Sequence, residues 1–494
     1  MKPKNKRPNI LFALADDASH FSAYGHTFVN TPHFDRVARD GILFNSMFTT
    51  NPKCAPSRAS MLTGMHTWQL KEACTHWCVF PGPDEFAVYP DLLEDAGYHV
   101  GFTGKGWAPG DYERNGRKHN PAGPEYNDIT LTPPEGSKID VCDYAANFED
   151  FLSKRDGDEP FCFWYGGKEP HRAYVAGEGQ KHGKTLDEVT EVPPYWPDEQ
   201  LVREDMLDYA FETEWFDSHL GQMICTLEKM GELENTLVVV TSDNGCPFPR
   251  VKGQMYDDDF RLPFAAMWPA QVKSGQTCDD LCSFIDLAPT FLELAGVEVP
   301  KEWPGKSLTD IFQCSEEKMG GGSASFQGFE SGRDRAFMGR ERHDMGREND
   351  AGYPVRCIRT PQYLYVRNFD PTRWPAGNPE TNFTNCDSSP TKTRILELHE
   401  QGVDFYYEQA FGKRPLEQLF DVKKDPYCMT NLAGDPAFAE TKAALWKELK
   451  AKLEETQDPR IFGNGDIFDS YEYCSNAPHS WANYVAGTWT PQVY

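Results

Sequence analysis

Four short apolar runs in this chain each stop abruptly at charged or amide residues, and that pattern restricts the fold more than any other feature. Ile10 to Ala15 leads into Asp16-Asp17, and Tyr98 to Phe102 into Thr103-Gly104-Lys105. Phe161 to Tyr165 is followed by Lys168-Glu169-Pro170-His171-Arg172, and Leu237 to Thr241 by Ser242-Asp243-Asn244-Gly245. Short runs without polar alternation read as strands buried on both faces, in a mainly parallel sheet with helices on either side. Helical patterns lie between them. Gln200 to Met230 carries Leu201, Met206, Leu207, Ala210 and Phe211 at helical spacing, with Gly231 placed to end the helix. Asp286 to Ala295 reads as another helix. Ligands of open α/β sheets bind beyond the carboxyl ends of the strands, so the four polar endings meet at one rim.

A Ser/Gly/Glu-rich break from Cys314 to Gly332 separates this unit from a second one. Strand-like runs follow at Arg335 to Gly339, Val355 to Arg359, Tyr363 to Arg367 and Leu416 to Asp421, then an amphipathic helix over Asp435 to Glu455. The expected organisation is an α/β domain over 8–313 and a smaller α+β subdomain with an antiparallel sheet over 333–480. The last forty residues show little beyond scattered aromatics.

Composition matters mainly for what it excludes. The formal net charge of −27 argues against nucleic acid and anionic membranes as partners. No stretch approaches the length of a membrane span. The 14 cysteines are scattered, without the density of a disulfide scaffold. Cys74-x3-Cys78 and Cys278-x3-Cys282 have loose metal-like spacing but no second half. The chain opens on Met-Lys-Pro-Lys without a signal-peptide pattern, so the expectation is cytoplasmic, or periplasmic or secreted if an export signal has been removed.

Chemistry concentrates at Cys54-Ala55-Pro56-Ser57-Arg58-Ala59-Ser60-Met61-Leu62-Thr63-Gly64. Pro near the start and Gly at the end frame a short helix, with Cys54 at its positive end, where bare N–H groups attract anions. Taken alone, Cys54 reads better as a buried structural thiol, since most free cysteines are simply buried; the residues around it overturn that reading. At the rim, Asp16, Asp17, Asp243 and Asn244 offer hard oxygen ligands, suited to Ca²⁺ or, less well, Mg²⁺. Three carboxylates around a divalent ion leave a charge near −1, so an anionic substrate requires the further positive charge of Arg58, Lys105, His171 and Lys252.

The stretch at Cys54 resembles the Cys-x-Pro-Ser-Arg signature of type I sulfatases. Lys168 to Arg172, Ser242 to Pro249 and Leu419-Phe420-Asp421 with Asp425-Pro426 and Asn431-Leu432 are similar to the branch containing heparan N-sulfatase (sulfamidase). The resemblance covers most of residues 8–457 and thins across Pro109 to Gly136. It implies an alkaline-phosphatase-like α/β sandwich and a formylglycine (3-oxoalanine) made from Cys54 by a maturation enzyme. It also implies a calcium ion held by Asp16, Asp17, Asp243, Asn244 and the residue at 54, and a sulfated sugar as substrate. The same resemblance implies that Arg58 lies beside the nucleophile, that Lys105 and Lys252 hold sulfate, and that His171 protonates the leaving group.

One departure stands out: the family's Lys-x-His is Lys105-Gly106-Trp107 here, so Trp107 takes the place of a sulfate donor, as a pocket wall or a stacking surface. Glu169, Arg172, Arg342 and His343 are further expected substrate contacts, the last two reaching over from the second unit. Two alternatives remain: a phosphodiester or phosphonate monoester hydrolase of the same superfamily, and a silent glycan-binding homologue with unmodified Cys54.

Overall fold

The computed structural model describes residues 7–312 and 332–491; the Cys314 to Gly332 break lies, but for its last residue, outside the described residues. The large sheet contains β1 (Asn9–Ala15), β2 (Ile42–Phe48), β3 (His99–Gly104), β4 (Phe161–Gly166), β5 (Thr236–Ser242), β6 (Arg261–Met267), β7 (Gln276–Cys278) and β8 (Cys282–Ser283), in the order β8-β2-β6-β5-β1-β4-β3, with β7 also pairing with β2. Pairing is parallel except that β6 runs antiparallel to both β2 and β5. The expected mainly parallel sheet is therefore present, and its four polar-ended strands, β3-β4-β1-β5, are neighbours.

The continuous apolar reading of β1 has a direct cause. Ile10, Phe12 and Leu14 pack into one layer, while Leu11, Ala13 and Ala15 pack into the opposite one. The first layer contains α2 (Cys54–Thr63), α3 (Tyr89–Asp95) and α6 (Leu287–Ala295); the second contains α1 (Pro32–Asp40), α4 (Tyr144–Ser153) and α5 (Gln200–Met230). β2 and β6 escape the sequence pattern. Asn45 and Ser46 interrupt β2 at an irregularity between Phe44 and Met47, and Pro263 sits inside β6, where it donates no ladder hydrogen bond.

Beyond the break, β9 (Ala336–Arg340), β10 (Val355–Arg359), β11 (Tyr363–Asn368) and β12 (Glu417–Asp421) form an antiparallel sheet in that order. One face takes Leu445, Leu449 and Leu453 of α7 (Ala439–Glu455); the other packs on Phe48, Met255, Tyr256 and Phe260 of the first unit. Among the described residues, no helix is long and apolar enough to cross a membrane.

The strand ends are tied together by backbone hydrogen bonds just past the sheet. Asp243 N–H donates to Ala15 O at 3.1 Å, Asp16 N–H to Glu169 O at 3.2 Å, and Lys105 N–H to Gly166 O at 2.7 Å. The last approach requires glycine on both sides: a Cβ on Gly166 would lie 1.9 Å from Lys105 O, and one on Gly104, at φ 74°, would lie 2.0 Å from Gly166 O.

Helix α5 carries buried acids as well as apolar residues. Asp217 accepts from the N–H groups of His33 and Phe34 at 3.0 and 2.7 Å, satisfying the start of α1 that Thr31 does not cap. Burial pushes Asp217 up to about 7 against those two N–H groups, and pushes Asp208, which accepts from Gly177 and Gly179, up to about 6. Unfolded aspartates titrate at about 3.9. The folded chain therefore binds more protons than the unfolded one between about pH 4 and 7, and stability from this source is complete below that window and lost as pH rises through it. Between pH 5 and 8 the wild type is expected to lose urea unfolding free energy relative to Asp217→Asn, by up to about 1.4 kcal/mol per pH unit. A difference between the two proteins that does not change with pH would contradict the assignment.

Candidate active site

Helix α2 aims Cys54 into the rim. Its first turn hangs on Ser57, whose hydroxyl donates to Asp243 O at 2.5 Å and meets Thr49 Oγ1 at 2.8 Å. Cys54 Sγ then lies 3.3 Å from Asp16 Oδ1 and 3.8 Å from Asp17 Oδ1. Burial and the Asp16 charge push the thiol well above its ordinary value, although Lys105 opposes them. The unmodified Cys54 is thus a neutral thiol, poor as a nucleophile and as a ligand for a hard cation.

Ligating atoms of Asp16, Asp17, Cys54 and Asp243 all lie within 4.8 Å of one another, and all four residues are buried. Asn244 donates through Nδ2 to Asp17 Oδ1 at 2.7 Å, while its buried Oδ1 has no hydrogen-bond partner. Converging carboxylates beside an orphaned amide oxygen fit a hard divalent cation. Among the described residues, neither spaced cysteine pair joins a group of this kind, and all thirteen described cysteines are free thiols.

Cationic groups surround these acids. Arg58 is fully buried; its Nε donates to Asp243 Oδ2 at 2.7 Å, and its Nη1 to Lys105 O at 2.6 Å and Gly106 O at 3.0 Å. Lys105 Nζ meets Asp16 Oδ2 at 2.5 Å. Lys252 Nζ bridges Asp17 Oδ2 at 2.6 Å and Asp387 Oδ2 at 3.0 Å. Burial alone would raise Asp16, but Lys105 and Arg58 hold it well below the usual carboxylate range; burial and the Asp16 charge push Asp243 up instead. His171 places Nε2 3.8 Å from Asp17 Oδ2, and its Nδ1 donates to Arg172 O at 2.6 Å, which leaves Nε2 facing the site. Burial and Lys252 lower its pKa, against Asp17.

The other expected contacts are placed differently. Trp107 is 1% exposed; its Nε1 donates to Ala55 O at 3.0 Å and its ring meets Phe80 edge-on, so it props α2 from the core and presents no stacking face. Arg172 forms a bidentate pair with Asp205 at 2.7 and 2.9 Å and donates to Pro247 O, which commits its guanidinium to the protein. Glu169 accepts from Asp140 N–H and Tyr144 OH, both at 2.9 Å, and burial pushes it up to about 7. Arg342 turns toward Tyr471 O at 2.5 Å and Cys78 Sγ at 3.2 Å, and His343, fully buried, meets Asn51 Oδ1 at 2.9 Å. The stretch after β9 thus anchors the second unit, with these two side chains turned into the protein.

Several neighbours of the site carry no sequence pattern. Lys53, immediately before Cys54, pairs with Asp344 at 2.9 Å, and Asp344 also meets His76 Nδ1 at 2.8 Å. Asp387 joins Lys252 from a loop. His479, in the C-terminal stretch that reads as featureless, lines the cleft that contains Cys54, Lys105 and His171. Lys53 alone carried a local signal, by adjacency to the cysteine motif.

The Lys252 bridge makes a direct test of the charge balance. Lys252→Met leaves Asp17 and Asp387 buried without their shared cation, a loss of about 3–5 kcal/mol by the usual cost of breaking a buried pair. Added Ca²⁺ should recover part of the lost melting temperature, because a cation beside Asp17 replaces the missing charge. An identical loss at every Ca²⁺ concentration would separate Asp17 from any cation site.

Comparison with known proteins gives the chain's family and fold. The sulfatase family model matches residues 8–297. An ulvan-active sulfatase of Formosa agariphila is 26% identical over 496 residues, covering 95% of this chain and 79% of that protein. Human N-sulphoglucosamine sulphohydrolase is 28% identical, covering 92% and 91%. A solved structure in complex with its substrate D-glucosamine-2-N,6-O-disulfate has a TM-score of 0.63 at 22% identity, covering 92% of this chain and 99% of that one. The phosphonate monoester hydrolase of Agrobacterium radiobacter scores 0.61 at 17% identity, covering 92% and 97%. These structural likenesses establish the alkaline-phosphatase-like α/β fold that the strand pattern and the signature led us to expect. With the family match spanning more than half of its length, the chain belongs to the sulfatase family and is a sulfuric ester hydrolase.

Proposed function

We propose that this enzyme removes sulfate from a sulfated sugar, with Cys54 converted to formylglycine and a calcium ion held at the rim. The observation that carries the reading is the placement of Cys54 at the start of α2, 3.3 Å from Asp16, inside a ring of acids and lysines. The substrate class is supported by relatives named for ulvan, N-sulphoglucosamine and, in a Bacteroides thetaiotaomicron protein 28% identical over 92% of this chain, N-acetylglucosamine-6-O-sulfate.

The carboxylates of Asp16, Asp17 and Asp243 and the free Oδ1 of Asn244 would hold the cation, which supplies positive charge to the sulfate oxygens. Formylglycine supplies an oxygen nucleophile where the neutral thiol has none. Every other contribution belongs to the chain. Arg58 keeps Asp243 and the start of α2 in register with the strand ends. Lys105 and Lys252 present ammonium groups that offset the sulfate charge, while their acid partners keep the pocket from becoming a permanent anion trap. His171 carries a proton at Nε2 toward the leaving oxygen or nitrogen, with Nδ1 fixed on Arg172 O. Arrival of an anion favours its protonated form, which burial otherwise disfavours.

The test begins with co-expression with a formylglycine-generating enzyme. Mass spectrometry of the Cys54 peptide should show the aldehyde or its hydrate, and the matured protein should hydrolyse 4-nitrophenyl sulfate and at least one sulfated monosaccharide in a chelator-sensitive way. Full activity with only unmodified thiol would sink the mechanism. His171→Ala should cost sugar sulfates about 10²–10⁴-fold and the activated aryl sulfate far less, because a nitrophenolate scarcely needs a proton. Equal losses on both would make His171 a sulfate-positioning group.

A further inference from the structure

The cleft above Cys54 has one wall that the catalytic groups do not account for. With a volume of about 440 Å³, it brings Cys54, Lys105 and His171 together with His76, Trp77 and, from the far end of the chain, His479. Both histidines are buried, His76 to 4% and His479 to 6% exposure, and Nε2 of each lacks a hydrogen-bond partner. Buried polar atoms are seldom left so, and an orphan facing a cleft marks where a bound molecule completes the pairing.

The protonation of His76 follows from its other nitrogen. Nδ1 lies 2.8 Å from Asp344 Oδ1, and Lys53 Nζ lies 2.9 Å from Asp344 Oδ2. Burial would raise the Asp344 carboxyl, but Lys53 and His76 hold it well below the usual range. An ionised carboxylate only accepts, so the proton sits on Nδ1 and Nε2 offers a lone pair. Burial pushes His76 itself down to about 4, so the ring is neutral at neutral pH.

Trp77 lines the same cleft beside His76, the two ring centroids 6.2 Å apart. Its backbone is in the left-handed region at φ 58°, unfavourable for a bulky side chain, and the half-buried ring lies 6.3 Å from that of Tyr473. Strain of this kind gathers at ligand clamps, where the surrounding structure holds a residue in place for contact.

We infer that His76, Trp77 and His479 form the recognition subsite for the sugar ring bearing the scissile sulfate, with Trp77 as its stacking face and His76 Nε2 accepting a hydrogen bond from a ring hydroxyl or amide N–H. This assignment rests on the sulfatase reading and narrows it. A lone pair backed by an ionised carboxylate welcomes a neutral donor and repels a second sulfate or a carboxylate at that ring position. Recognition therefore comes from the loop after α2 and from the C-terminal stretch, whereas Arg342 and His343 do not line this cleft.

The experiment uses the matured full chain, 4-nitrophenyl sulfate, monosulfated glucosamine and galactosamine derivatives, and deoxy analogues of the best of these. In His479→Phe and Trp77→Ala, kcat/KM on the sugar is expected to fall at least about tenfold further than on the aryl sulfate. Neither substitution touches the buried Lys53–Asp344 pair, so both keep the test decisive should His76→Gln fail to fold. Where His76→Gln folds, its loss and that of the critical deoxy substrate should not multiply, because both delete one hydrogen bond. Equal losses on both substrate types, no loss on either, or fully multiplying losses would overturn the subsite and leave the sulfatase reading standing. A matured wild-type protein that cleaves none of these sulfates would overturn both.

Discussion

Arg58 is the interaction on which the site depends. Its guanidinium reaches from α2 to the carboxylate that follows β5 and to two carbonyls that follow β3, all without contact with water. A charge buried so deeply needs acceptors and counter-charge, and Arg58 finds them through Nε and Nη1, while Nη2 lies 3.7 Å from Asp16 Oδ1 without a hydrogen bond. Satisfying it places α2, the end of β3 and the end of β5 in one arrangement, and Cys54 arrives beside Asp16 and Asp17 as a consequence. The same requirement runs through Lys105 and Lys252, each held by an acid that is itself part of the converging group.

A second ring of acids supports this one from behind. Asp205, Asp208 and Asp217 on α5 accept from Arg172, from the loop at Gly177 and Gly179, and from the start of α1. Their common role is to satisfy donors at helix starts and in the loop that carries Arg172. One amphipathic helix thereby ties down the loop that carries His171, through the bidentate pair of Asp205 with the adjacent Arg172.

The smaller sheet reaches the site indirectly. β9 leads into a stretch where Arg342 and His343 lock onto neighbouring backbone and side chains, and Asp344 alone completes a chain of contacts toward Cys54 through Lys53 and His76. The C-terminal stretch then closes the cleft with His479. Arg342 and His343, expected to reach over from the second unit, are instead buried, hydrogen-bonded to Tyr471 O and Asn51 Oδ1, and do not line the cleft above Cys54.

The amino-acid sequence by itself determined the parallel core and its polar rim. Ile10 to Ala15 and its three counterparts declare strands buried on both faces, Gln200 to Met230 declares its helix to the residue, and Cys54 to Gly64 declares its helix, because these signals are local. Tertiary structure alone decided the rest. β6 is a strand despite Pro263 because the proline faces the irregularity between Phe44 and Met47 of β2, Trp107 is a core prop because α2 lies over it, and His76 and His479 share a cleft across four hundred residues. No periodicity encodes such meetings. They follow from where charge must be neutralised and apolar surface covered once the sheet has formed, and those demands exist only in the folded chain.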